Sequence, residues 1–144
     1  MKYVVMISHG EFAPGLRSAV FMMTGPKDEV LCTNLRADMS ADQFQENFRE
    51  LVAPISPEND EVILLCDILG GSPMTKALEV LSEKNLLEKA IVLTGMNMPM
   101  AMTAVIMKDV MDDRDALTAA IISESQGAVA EFKAIAEESG DDDI

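Results

Sequence analysis

Four short apolar runs constrain the fold more than any other feature of this chain: YVVMI at residues 3–7, EVLCTN at 29–34, EVILLC at 61–66 and KAIVLT at 89–94. Apolar, β-branched runs of this length fit strands covered on both faces. Between them lie helical patterns. In APGLRSAVFMMT, residues 13–24, Leu16, Val20 and Met23 recur at spacings of four and three, Pro14 sits near the start, and Gly25-Pro26 stops the run. Ser40 with Gln43 reads as a capping box opening a helix whose face is Phe44, Phe48, Leu51 and Val52. Pro54 and Pro57 close that helix. Ser72-Pro73 supplies an N-cap and a first-turn proline for a helix to about residue 82. Asn97-Met98-Pro99 opens another, to about residue 108, and Asp112 or Asp113 caps one more, to about residue 125. Residues 127–135 admit two readings: continued helix, or an edge strand with Ala128, Ala130, Phe132 and Ala134 on one face.

Strand and helix alternating four times predict an α/β fold, a doubly wound, mainly parallel sheet. The order expected for so short a chain is 2-1-3-4, with an optional fifth edge strand. One domain of 144 residues is long enough to bury its own core. The acidic tail EESGDDDI reads as solvated. A hydrophobic content of 49% excludes a disordered chain, and no apolar run approaches the length of a membrane span. Nothing near the N-terminus reads as a signal peptide. Cys32 and Cys66 both lie inside apolar runs and read as buried, reduced thiols, which suits a cytoplasmic protein. They are too few for a zinc cluster, and neither metal nor cofactor is expected. Eleven basic against 25 acidic residues leave a net charge of −14. That surface repels nucleic acid and anionic lipid, and suits either basic protein partners or solubility alone.

In the order 2-1-3-4 the winding reverses between strands 1 and 3, whose carboxyl ends diverge into a ligand crevice. The loop after strand 1 carries Ser8-His9-Gly10, and His9 is the only histidine in the chain. The loop after strand 3 carries Asp67 and Gly70-Gly71-Ser72. Topology should therefore bring His9 and Asp67 face to face. Two glycines and a helix start suit an anion, because free N–H groups and the helix dipole point at it. A carboxylate beside the imidazole would fix its tautomer and stabilise an imidazolium. These are the parts needed to hold a phosphoryl group on nitrogen, through positioned hydrogen bonds rather than a metal.

His9-Gly10 after strand 1, Asp67 with Gly70-Gly71-Ser72-Pro73 after strand 3, and Asn97-Met98-Pro99-Met100 after strand 4 together resemble the IIA component of the mannose/fructose/sorbose family of the bacterial phosphotransferase system. The resemblance spans residues 1–135, leaving 136–144 as a tail. It implies a phosphocarrier that accepts a phosphoryl group on His9 from the phosphocarrier protein HPr and passes it to the IIB component. The membrane IIC and IID components would then deliver the sugar. Carried over, Asp67 is the carboxylate partner of the histidine, while Gly70, Gly71 and Ser72 hold phosphoryl oxygens. The resemblance also implies a homodimer whose C-terminal edge strand crosses to the partner, and a cytoplasmic location, peripheral to the membrane through the transporter. Ile68 and Leu69 stand where the family often has a polar residue and an aromatic, so Ser72 or backbone amides must replace a hydroxyl contact. The Met-rich stretch MNMPMAM at 96–102 reads either as adaptable core or as a pliable docking surface through Met98, Pro99 and Met100. A IIA component hands phosphate to another protein, so mannose, fructose, sorbose, gluconate and amino-sugar systems are all compatible.

Two rival readings of the Ser-His-Gly motif fail on the lone histidine. Phosphoglycerate mutases and histidine phosphatases need a neighbouring arginine and a second histidine, and tetrapyrrole metal chelatases need further histidines. A non-catalytic domain of the same fold, binding an anion or a partner, is the alternative.

Overall fold

The computed structural model describes residues 1–134. Its elements run β1 (Lys2–His9), α1 (Phe12–Thr24), β2 (Val30–Leu35), α2 (Ala41–Val52), β3 (Glu61–Cys66), α3 (Ser72–Glu83), β4 (Ile91–Leu93), α4 (Met98–Met107) and α5 (Arg114–Gly127). The four strands form one parallel sheet in the order β2-β1-β3-β4, as expected.

Period-two alternation divides β1 and β3 between two cores. Val4, Met6, Ile63 and Leu65 point towards α1, α4 and α5, where they meet Leu16, Val20, Ala101, Ala104 and Ile121. Val5, Ile7, Val62, Leu64 and Cys66 point towards α2 and α3 and meet Phe44, Phe48, Val80 and Leu81. Both faces are covered, which is why these strands are apolar throughout. The rings of Phe44 and Phe48 lie 6.3 Å apart, nearly parallel, and both are fully buried. Leu51, expected on the same face, is only half-buried.

Several boundaries differ from the sequence reading. β1 runs to His9, because Ser8 and His9 still pair with Asn34 and Leu35 of β2. The histidine therefore ends a strand rather than riding on a loop. Gly71, not Ser72, is the N-cap of α3, and no side chain caps that helix; Ser72 is already helical, with Pro73 behind it. The capping box of α2 is half formed. Ser40 accepts from the Gln43 N–H at 3.1 Å, but the Gln43 amide turns along the helix to Asn47 at 3.0 Å. At the C-terminus α5 ends at Gly127, and residues 128–134 form neither helix nor strand in this chain. The expected edge strand is thus absent from the chain's own sheet among the described residues. Residue 135 and the tail 136–144 lie outside them.

One buried charge had no sequence signal. Lys108, at the end of α4, is 1% exposed; its Nζ pairs with Glu29 at 2.9 Å and Asp109 at 2.7 Å. The pair ties α4 to the approach of β2. Cys66 is buried and Cys32 half-buried, both free, and burial pushes the Cys66 thiol up to about 12.

Candidate active site

The register of β1 on β3 builds the site. Ile7 is the last residue of β1 to pair with β3, opposite Cys66; beyond it the two strands part at the switch point, β1 running on beside β2 to His9. There one carboxylate oxygen, Asp67 Oδ2, lies 2.8 Å from His9 Nδ1 and accepts the His9 backbone N–H, also at 2.8 Å. The other oxygen accepts the Ile68 N–H at 2.9 Å. Residues 58 positions apart are thus joined by two hydrogen bonds, as the topology predicts.

Protonation follows from these contacts. Burial pushes the Asp67 carboxyl up, but hydrogen bonds from the His9 N–H, the His9 ring and the Ile68 N–H outweigh it and hold the group below its ordinary value. The stabilisation this reflects is present above the usual carboxylate range and lost as pH falls through the lowered value. An ionised carboxylate can only accept, so in the neutral ring Nδ1 carries the proton and Nε2 keeps its lone pair. The His9 side chain is 46% exposed while Asp67 beneath it is 13% exposed. The arrangement is a half-exposed imidazole over a buried acceptor that fixes the ring.

The loop after β3 closes against the imidazole. Gly70 takes a left-handed φ of 82°, where a side chain would be strained. A Cβ on Gly71 would stand 2.9 Å from His9 Cε1 and 3.3 Å from the Ile68 side chain. Gly71 thus brings the backbone close against the ring, where a side chain would not fit without a shift. It also begins α3, whose first-turn N–H groups have no partner inside the helix and receive none from a side-chain cap. A helix start of this kind favours a negative group. Ser72 is exposed in that turn.

Of the Met-rich stretch, Met100 is 4% exposed and belongs to the core between β4, α4 and α5, so it offers a partner no surface. Met98 and Pro99 are half-buried. Asn97 caps α4 by accepting the Met100 N–H at 2.9 Å, and the Met96 N–H donates to the Cys66 carbonyl at 3.0 Å. This motif therefore braces the end of β3. Phe12, Ile68 and Leu69 are the exposed apolar side chains beside His9, at 46%, 53% and 76%.

The sequence reading missed three residues that shape the turn after β1: Ser8, Glu11 and Asn34. The buried Ser8 hydroxyl accepts the Ala13 N–H at 2.7 Å, fixing the start of α1. Asn34 Nδ2 donates to the Gly10 carbonyl at 2.7 Å and to Glu11 Oε2 at 3.2 Å. The strand order already held the signal for Asn34: the residue ending strand 2 must neighbour the turn after strand 1.

Among the described residues no group of histidine, cysteine and carboxylate side chains could hold a metal ion, and no helix is long and apolar enough to cross a membrane.

Comparison with known proteins places this geometry in a family. The family described as "PTS system fructose IIA component" matches residues 3–122. The fructose-specific EIIA component of the phosphotransferase system of Bacillus subtilis (strain 168) is 25% identical over 114 residues, covering 79% of this chain and 75% of that protein. The phosphotransferase system component EIIA from Streptococcus agalactiae superposes with a TM-score of 0.79 at 26% identity, over 92% of this chain and 98% of the other. The mannose/sorbose specific IIA subunit from Enterococcus faecalis shares the fold with a TM-score of 0.80 at 21% identity, over 96% and 100% of the two chains. With a match running from the first strand into α5, this chain belongs to the IIA components of the mannose, fructose and sorbose type in the bacterial sugar phosphotransferase system.

Proposed function

We propose that this chain is a phosphocarrier that takes a phosphoryl group onto His9 Nε2 from HPr and gives it to the IIB component. The observation that carries the reading is the 2.8 Å contact between His9 Nδ1 and the ionised Asp67, on a ring whose other nitrogen is open. In the acceptance step the lone pair of Nε2 forms the new N–P bond while the N–P bond of the donor's phosphohistidine breaks, its electron pair returning to the donor's ring. The alkylated-like imidazolium that results keeps its Nδ1 proton, which Asp67 holds by a charge-assisted hydrogen bond. Transfer to IIB reverses these roles. Phosphoryl transfer of this kind depends on positioning and electrostatics, and the start of α3 at Gly71 and Ser72, beside the Gly70 corner, supplies N–H groups to the phosphoryl oxygens.

Work at the cytoplasmic face, against HPr and the membrane components, follows from the same reading. A homodimer fits it as well. Among the described residues β4 pairs only with β3, which leaves its other edge free there. A hollow of about 440 Å³ beside that edge is lined by Val92, Leu93, Thr94 and Val129, and Val129 and Phe132 are 79% and 89% exposed. An edge strand donated by a second copy would cover them.

The test is incubation with phosphoenolpyruvate, enzyme I and HPr. The chain should acquire an acid-labile, base-stable phosphate that is absent in His9→Ala, and Asp67→Asn should slow uptake by about 10- to 100-fold while the fold persists. An unlabelled wild-type chain would defeat the carrier reading in favour of a non-catalytic anion- or partner-binding domain.

A further inference from the structure

A second carboxylate, Glu11, stands two residues past His9, and a side chain of the neighbouring strand restrains it. Glu11 occupies the N-cap position of α1, yet its side chain makes no cap hydrogen bond. An aspartate there would turn onto the free N–H groups of the first turn; the longer glutamate does not. Here the Ser8 hydroxyl takes the Ala13 N–H, and Glu11 Oε2 is drawn instead to Asn34 Nδ2 at 3.2 Å. The same amide nitrogen donates to the Gly10 carbonyl at 2.7 Å. Gly10 has a φ of 57°, so Asn34 clamps both the left-handed corner after His9 and the acid that follows it.

Among the described residues no lysine or arginine pairs with His9, Asp67 or Glu11. Among the described residues, then, no salt bridge at this site offsets a loose carboxylate. Like charges at close range raise the energy of the phosphorylated state. A primary amide is suited to the restraint: it is neutral and has two N–H donors to share between a carbonyl and a carboxylate.

We infer that Asn34 is a positioning residue for phosphoryl acceptance, holding the Glu11 carboxylate against β2 so that the space over His9 Nε2 stays open to an anion. The inference rests on the carrier reading. Its test measures phosphoryl uptake from phosphoenolpyruvate, enzyme I and HPr in wild type, Asn34→Ala, Glu11→Gln and the double variant, with thermal melts of each. Asn34→Ala should take up phosphate about tenfold more slowly, and Glu11→Gln should resemble wild type. The double variant should recover most of the lost rate, because the charge that Asn34 restrains is gone. Wild-type uptake by Asn34→Ala would overturn the inference. So would a slow double variant, which would assign the effect to the Gly10 corner. No label on wild type would instead defeat the carrier reading itself.

Discussion

Gly71 and His9 compete for the same few ångströms. The backbone of Gly71, at φ −74° and ψ 171°, is one that alanine adopts without strain. The cost of Gly71→Ala is therefore steric, a methyl 2.9 Å from His9 Cε1. Because the ring is half-exposed, it can swing aside, and stability should fall by only about 1 kcal/mol. Function should suffer more, since a displaced nucleophile loses its alignment: uptake of phosphate should drop by about 10- to 100-fold. A melting curve beside a transfer assay separates the two, and an unchanged rate would mean that Gly71 does not set the ring position. At this scale the sequence was readable where residue type alone decides. A lone histidine and an aspartate at two strand ends could meet only at the switch point, and they do. The strand order places Asn34 beside the turn, but the partners of Glu11, Asn34 and Ser8 are not readable, because which acceptor takes which N–H depends on side-chain directions across two strands. Met100 was open to a core or a surface role for a similar reason: in a helix of mostly apolar residues, periodicity does not say which face is outward.

Element ends obey local chemistry only where tertiary pairing leaves them free. Ser40, Asn97 and Asp113 each accept an N–H of their own first turn, as their residue types predict. Ser72 does not, because the chain enters α3 one residue earlier. β1 outlasts its apolar run by two residues because β2 continues to pair with it, whereas β4 keeps only three residues, with β3 its one paired neighbour among the described residues. The half-formed capping box of α2 gives a quantitative check. Ser40→Ala removes the bond to the Gln43 N–H and should cost about 1 kcal/mol. Gln43→Ala removes only a bond to Asn47 one turn on, and should cost about 0.2–0.5 kcal/mol. Denaturant melts of the two variants measure the difference. Equal losses would mean that Gln43 reaches back to Ser40 after all.

Alternation of strands and helices was enough to predict the sheet order, since short parallel sheets with right-handed crossovers allow few others. What lies beyond a single chain is less legible in the sequence: residues 127–135 suit helix or strand, and in one chain 128–134 adopt neither. An irregular stretch bearing exposed Val129 and Phe132, and an outer edge of β4 that pairs with no described residue, both leave apolar surface unmet. In the proposed homodimer, exchange between two copies would satisfy each with the other, as an antiparallel or parallel fifth strand placed against β4. The full chain should then sediment as a two-chain species at micromolar concentration. Because residues 128–134 take no part in either core cluster, a chain ending at Gly127 should keep its sheet and its helical circular dichroism. It should sediment as one chain. Single-chain mass for the full-length protein would contradict the exchange. A two-chain species that survives the truncation would move the interface away from β4, to another face of the molecule.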